Sequence, residues 1–154
     1  MNTILRTLFL FPLFLVAPHR MPAGIFQHSE IVELSGAFSP AAIVSIANIN
    51  GSVTVHTWDR DEYRVSATKK SRDEENLELI ELRHDISMDR AKIEVHIPKK
   101  KGWFSMSRIQ GSVEIELWVP ASVELDNIST TNGSVYLSGI TGSVNASSVN
   151  GRIE

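Results

Sequence analysis

Residues 130–154 read TTNGSVYLSGITGSVNASSVNGRIE, a run with a regular repeat. Gly133, Gly142 and Gly151 fall nine residues apart, each followed by a small or polar residue and then by Val or Ile. A second period of 18 overlies the first: Ser129-Thr-Thr-Asn-Gly-Ser-Val matches Ser147-Ser-Val-Asn-Gly-Arg-Ile position for position. A doublet of that length fits one coil of two short strands, each entered through a glycine turn. Stacked coils would set Val135 over Ile153 inside and Asn132 over Asn150 at the corner, where amides of successive strands can hydrogen-bond in a ladder. Glycine at these turns is expected to supply the positive φ that side chains with a Cβ resist. A plain antiparallel meander with Asn-Gly hairpins would use the same dipeptide. The shortness of the strands and the match between non-adjacent ones favour a solenoid-like stack.

The turn recurs upstream as Asn50-Gly51-Ser-Val and Gln110-Gly111-Ser-Val. Around it the period is two. In residues 53–56 Val alternates with Thr and His, and in 63–68 Tyr63, Val65 and Ala67 alternate with polar neighbours. Residues 111–120, GSVEIELWVP, set Val113, Ile115, Leu117 and Val119 on one face and Glu114, Glu116 and Trp118 on the other. A helical turn is expected near residues 73–78, and strand after it. The fold class expected is all-β: a sheet of short strands leading into a solenoid-like, β-helix-type repeat region.

The chain of 154 residues is 42% hydrophobic and 21% charged, with no cysteine. That excludes a thiol nucleophile, a thiolate metal site and a Cys-anchored lipoprotein. Its first residues carry Arg6 and then the apolar run TLFLFPLFLVAP, too short for a bilayer span and suited to the hydrophobic core of a secretory signal. Residues 1–23 are read as a signal peptide, 24–35 as a linker and 36–154 as one adhesin-like β domain. Removing the leader takes Arg6 and Arg20 and moves net charge from −3 to −5, which disfavours nucleic acid.

No constellation of catalytic residues emerges, and no cofactor or metal is expected. His19, His28, His56, His84 and His96 show no close ligand spacing. Asp59, Asp61 and Glu62 mark a turn, and Asp73, Glu74 and Glu75 a helix start, both places where solvated acids are common. Asn-x-Ser tripeptides at Asn50, Asn127, Asn132 and Asn145 coincide with the repeat and are read as turn chemistry. One segment suggests a contact surface: Lys99, Lys100 and Lys101 beside Trp103 and Phe104, a set that can meet an anionic polymer or a membrane surface.

The segment ANINGSVTVHTWDRDEYRVSATKK, followed downstream by SSVNGRIE, resembles the bacterial domain family DUF4097, described as adhesin-like. The resemblance runs over residues 36–154, and its specific pieces are the Asn50-Gly51-Ser-Val strand leading into Trp58-Asp59-Arg60 and the tandem Gly-Ser-Val units. These are turn and core positions; the structural turns are Asn50, Gly51, Gly111, Asn132, Gly133, Gly142, Asn150 and Gly151. The resemblance implies an exported all-β domain of the cell envelope with no established enzyme activity, and it transfers no functional residues. The domain is accordingly expected to be periplasmic, surface or extracellular and not an enzyme, and its expected partners are a wall polymer, a surface glycan or an envelope protein. The alternatives are a polysaccharide-active β-helix enzyme and a structural module that self-associates through its C-terminal strand edge. The repeat stops at Glu154 with that edge open, so the domain is expected to be truncated there or docked on a partner.

Overall fold

The alternation at residues 113–119 is realised in full: Val113, Ile115, Leu117 and Val119 are completely buried, and Glu114 and Glu116 are exposed. The computed structural model describes residues 28–98 and 110–154. Its elements are β1 (His28–Ala37), β2 (Ile43–Asn50), β3 (Val53–Trp58), β4 (Glu62–Ser71), α1 (Glu74–Glu78), β5 (Glu81–Ile86), β6 (Arg90–His96), β7 (Gly111–Pro120), β8 (Glu124–Asn132), β9 (Val135–Leu137) and β10 (Val144–Asn150). They form two mixed five-stranded sheets, ordered β1-β4-β7-β3-β9 and β10-β8-β2-β6-β5. The chain is all-β, with α1 the short helical turn expected near residues 73–78.

The apolar faces of the two sheets meet. Val44 and Ile46 of β2, Ile93 of β6, and Leu125 and Ile128 of β8 face Val53 and Val55 of β3, Ile115 and Leu117 of β7, and Val135 of β9, none more than 1% exposed. Each such side chain contributes about 1.5–3 kcal/mol relative to an exposed one. The same parity turns Lys69 of β4 inward near α1. There its ammonium is satisfied at the rim by Glu30 at 2.7 Å and by the Ile80 carbonyl at 3.3 Å.

β2 and β3 do not pair with each other. Asn50-Gly51 carries the chain from the second sheet to the first, so the turn is an arch between sheets rather than a hairpin. The connection from β8 to β9 through Asn132-Gly133 repeats this, and so does the step from β10 through Asn150-Gly151 to Ile153, which bridges Val135 in parallel. β2, β8 and β10 lie parallel, with Asn50, Asn132 and Asn150 in register. β3 and β9 lie parallel in the facing sheet, with Val53 opposite Val135.

The fold departs from the sequence expectation in two respects. The upstream strands do not form a separate sheet leading into the repeat: β2 and β3 are the arch directly beside β8 and β9. Their motif copies are 82 residues apart in sequence and adjacent in space. The intervening chain, β4 to β7, folds onto the other flank, where β6 pairs with β2 and β7 with β3, both in parallel. The stretch read as linker is strand from His28 onward. Val32 and Leu34 point toward the core while Glu33 and Ser35 face solvent, and β1 pairs antiparallel with the whole of β4.

Candidate functional site: the Asn-Gly corner and the surfaces beside it

The three arches share two hydrogen-bonded ladders. On the outside, Asn132 Nδ2 donates to Asn50 Oδ1 and Asn150 Nδ2 donates to Asn132 Oδ1, both at 2.8 Å. Asn50 Nδ2 donates onward to the Gly111 carbonyl at 3.0 Å. Two residues earlier on each strand a second polar side chain turns inward. Asn48 Nδ2 donates to the Val113 carbonyl at 2.8 Å, Thr130 Oγ1 to the Gly51 carbonyl at 3.0 Å, and Ser148 Oγ to the Gly133 carbonyl at 2.8 Å. Each arch thus satisfies a carbonyl of the arch beside it, which makes these polar groups tolerable next to an apolar core. Backbone bonds follow the same rule: Gly51 N–H donates to Asn132 O at 2.9 Å, and Gly133 N–H to Asn150 O at 3.2 Å.

The glycines are required for a reason other than the one expected, except at Gly51, whose φ is +114°. Gly111, Gly133, Gly142 and Gly151 lie outside the left-handed region. A Cβ at Gly133 would overlap the Gly51 carbonyl oxygen, and one at Gly151 would overlap that of Gly133. Hydrogen bonding between arches at this corner draws the backbones too close for any side chain. Gly142 serves the opposite corner, between β9 and β10, against the carbonyls of Ser122 and Val123. The nine-residue spacing therefore alternates between the two ends of the sheets. Gly111 breaks the pattern: Val53 pairs with Ile115, so Gly111 sits two residues out of line with Gly51 and meets the Ile80 side chain. Gly139, with φ of +76°, was not singled out by the sequence, although Ser-Gly is a turn dipeptide.

The solvent face of the first sheet carries a second feature. Residues 56, 118 and 64 share one row across β3, β7 and β4. His56 stacks on Trp118 with centroids 5.1 Å apart, and the Arg64 guanidinium lies 5.7 Å from that indole while pairing with Glu33 at 3.0 Å. Two residues further along β3, at the turn that follows it, Arg60 lies 5.1 Å from the Trp58 ring. A shallow groove of about 420 Å3 runs there between Trp58, Asp59, Arg60, Asp61, Pro120 and Ser122. Asp59 and Asp61 are turn residues, as expected, and Glu74 and Glu75 open α1. Among the described residues no group of three His, Asp or Glu side chains is placed to hold a metal ion. The basic segment Lys99, Lys100, Lys101, Trp103 and Phe104 lies outside the described residues, as does His19.

No family model matches the sequence, and no curated protein matches it. Among solved structures, the chain is similar to a "putative cell adhesion protein" from Clostridium sporogenes (13% identity, 80% of this chain and 57% of that one, TM-score 0.41). It is similar also to a "putative adhesin" from Bacteroides fragilis (13% identity, 81% and 52%, TM-score 0.46). A third is a "putative lipid binding protein" from Parabacteroides distasonis (15% identity, 71% and 41%, TM-score 0.41). The chain spans about half the length of these structures.

Proposed function

We propose that this chain is a non-catalytic, exported domain of the bacterial cell envelope, of the adhesin-like DUF4097 type, that binds or assembles through a repetitive β surface. The observation that carries this reading is the shared register of the three arches, which repeats the same side chains in rows: Asn50, Asn132 and Asn150 at the corner, Ser129 and Ser147 on the sheet face. Rows at the strand spacing of about 4.8 Å offer a polymer many weak, equivalent hydrogen bonds whose effects multiply. In this reading the arches are coils of a solenoid-like stack, residues 1–23 direct export, and the basic aromatic segment 99–104 adds a contact for an anionic surface.

Co-sedimentation of residues 24–154 with insoluble cell-wall and polysaccharide preparations, with released sugar assayed in the supernatant, tests the proposal. Sedimentation without sugar release is expected. Released sugar would overturn the non-catalytic assignment in favour of a polysaccharide-active enzyme. Failure to sediment with any preparation would overturn the polymer-binding reading.

A further inference from the structure

At the end of the sandwich opposite the Asn-Gly corner, three connections meet: β1–β2, β3–β4 and β7–β8. They are tied to one another. Phe38 N–H donates to the Asp61 carbonyl at 2.9 Å, and Ser122 Oγ to the Pro40 carbonyl at 2.7 Å. Behind them Thr141 donates to the Ala121 carbonyl, through its N–H at 2.7 Å and its hydroxyl at 3.1 Å. Phe38 is buried and meets the Tyr63 ring edge to face at 5.5 Å, which fixes the start of β4 to the core. Pro40 and Pro120 each hold their own φ. The groove of about 420 Å3 between these connections is therefore preformed, and its volume falls within the range of ligand clefts.

The lining combines apolar rings with charged groups. Trp58 and Pro120 lie opposite each other on β3 and β7. The indole N–H of Trp58 already donates to the Glu62 carbonyl at 2.9 Å, so this residue offers ring surface rather than a donor. Asp59 and Asp61 bring carboxylates and Arg60 a guanidinium, all three exposed. None of them forms an ion pair among the described residues. Arg60 rests instead against the Trp58 ring. Trp118 offers no comparable surface, because His56 of β3 covers it from one side and Arg64 of β4 from the other.

We propose that this groove binds an uncharged stretch of a polysaccharide chain; the proposal rests on the polymer-binding reading above but places a contact at a different site. A sugar ring carries the two kinds of surface that the groove matches. Its C–H face is apolar and packs on an indole or a proline ring. Its hydroxyls point outward from the ring edge, where a carboxylate accepts from them and a guanidinium donates to them. Charge selects against other ligands. Two carboxylates against one guanidinium leave the lining net negative, which repels uronates and phosphates. A basic peptide finds Arg60 already on the indole, the place a cation would take. The groove is shallow, so a single ring is only partly covered, and affinity has to accumulate over neighbouring units of a chain.

Soluble oligomers of glucose, mannose, galactose and N-acetylglucosamine are each titrated into the purified chain by calorimetry, with oligogalacturonate and oligolysine as charged counterparts. At least one neutral oligomer is expected to bind, with an affinity that raised salt leaves unchanged. Trp58→Ala should weaken that binding about tenfold or more, and Trp58→Phe, which keeps an aromatic surface, by less. Asp59→Asn combined with Asp61→Asn breaks no ion pair and should weaken it about tenfold as well, since a neutral amide bonds a hydroxyl less strongly than a carboxylate does. Trp118→Ala, outside the groove, should leave it intact. Absence of binding by every neutral oligomer, full affinity in the Trp58→Ala or the doubly substituted protein, or preference for oligogalacturonate or oligolysine would overturn the proposal. Sedimentation with insoluble polymers separates this site from the repetitive surface. Failure of the oligomers with sedimentation intact removes the groove alone. Trp58-dependent oligomer binding by a chain that sediments with no polymer removes the repetitive surface alone.

Discussion

Replacing Gly133 with alanine in the folded chain adds one methyl group where the arches touch. Its Cβ would lie 2.5 Å from the Gly51 carbonyl carbon and 3.1 Å from Ser52 N, and would overlap the Gly51 oxygen. All three are backbone atoms, so no side chain can swing aside. The β8–β9 arch must instead move away from β2–β3 by on the order of 1 Å to restore normal contact. That movement strains four hydrogen bonds at once: Gly51 N–H to Asn132 O (2.9 Å), Val53 N–H to Ser134 O (3.0 Å), Thr130 Oγ1 to Gly51 O (3.0 Å) and Asn132 Nδ2 to Asn50 Oδ1 (2.8 Å). Losing two of them at about 1 kcal/mol each, with about 1–3 kcal/mol for overpacking, gives about 3–5 kcal/mol. Gly36→Ala is the matched control. Its Cβ meets only the Tyr63 ring, at 3.0 Å, on an edge strand, and should cost about 1 kcal/mol or less. Urea unfolding followed by tryptophan fluorescence measures both from their midpoints. Equal midpoints for the two variants, or a loss under about 1 kcal/mol for Gly133→Ala, would refute close approach as the reason for glycine at this corner.

Other substitutions probe separate parts of the structure. Ile128→Ala empties a fully buried site in β8 and should destabilise by about 2–5 kcal/mol in the same unfolding assay. Asn132→Asp keeps the acceptor for Asn150 but turns a carboxylate on Asn50 Oδ1 in place of a donor; a loss of about 1–3 kcal/mol is expected, and no change in midpoint would show that the outer ladder contributes nothing. Trp118→Ala removes the surface on which His56 and Arg64 rest and should cost about 1–2 kcal/mol, read from the same urea midpoint. Replacing Lys99, Lys100 and Lys101 together with alanine should abolish any salt-sensitive part of wall attachment, and unchanged sedimentation at low salt would remove the basic segment from the contact surface.

The sequence revealed strands wherever period-two alternation was uninterrupted, as in residues 53–56 and 111–120. It also placed Val135 over Ile153 and Asn132 over Asn150, because the 18-residue match sets two copies close together in the chain. It did not reveal that Asn50 extends the same ladder. Local periodicity carries no information about which of two distant copies lie side by side. The row of His56, Trp118 and Arg64 is hidden for a related reason: it depends on the register of β7, distant in sequence, inserted between β3 and β4. The role of the glycines is not legible in the sequence, because the constraint on Gly133 and Gly151 comes from a neighbouring arch rather than from their own φ. β1 carried a legible alternation at Val32 and Leu34, overshadowed by the apolar leader just before it.

The interleaving of the arches has a consequence for the order in which the molecule can assemble. In a tandem array each unit docks on the one just made, and folding can advance with synthesis. Here β2–β3 is made early, yet its neighbours on both flanks, β6–β7 and β8–β9, come later in the chain. The central layer stays open on both sides until most of the polypeptide exists, and its closure depends on contacts of long sequence separation, which slow folding. Excising β2–β3 would not shorten the stack by one unit but open a gap at its centre. The repeats look modular in sequence; in assembly they close together or not at all.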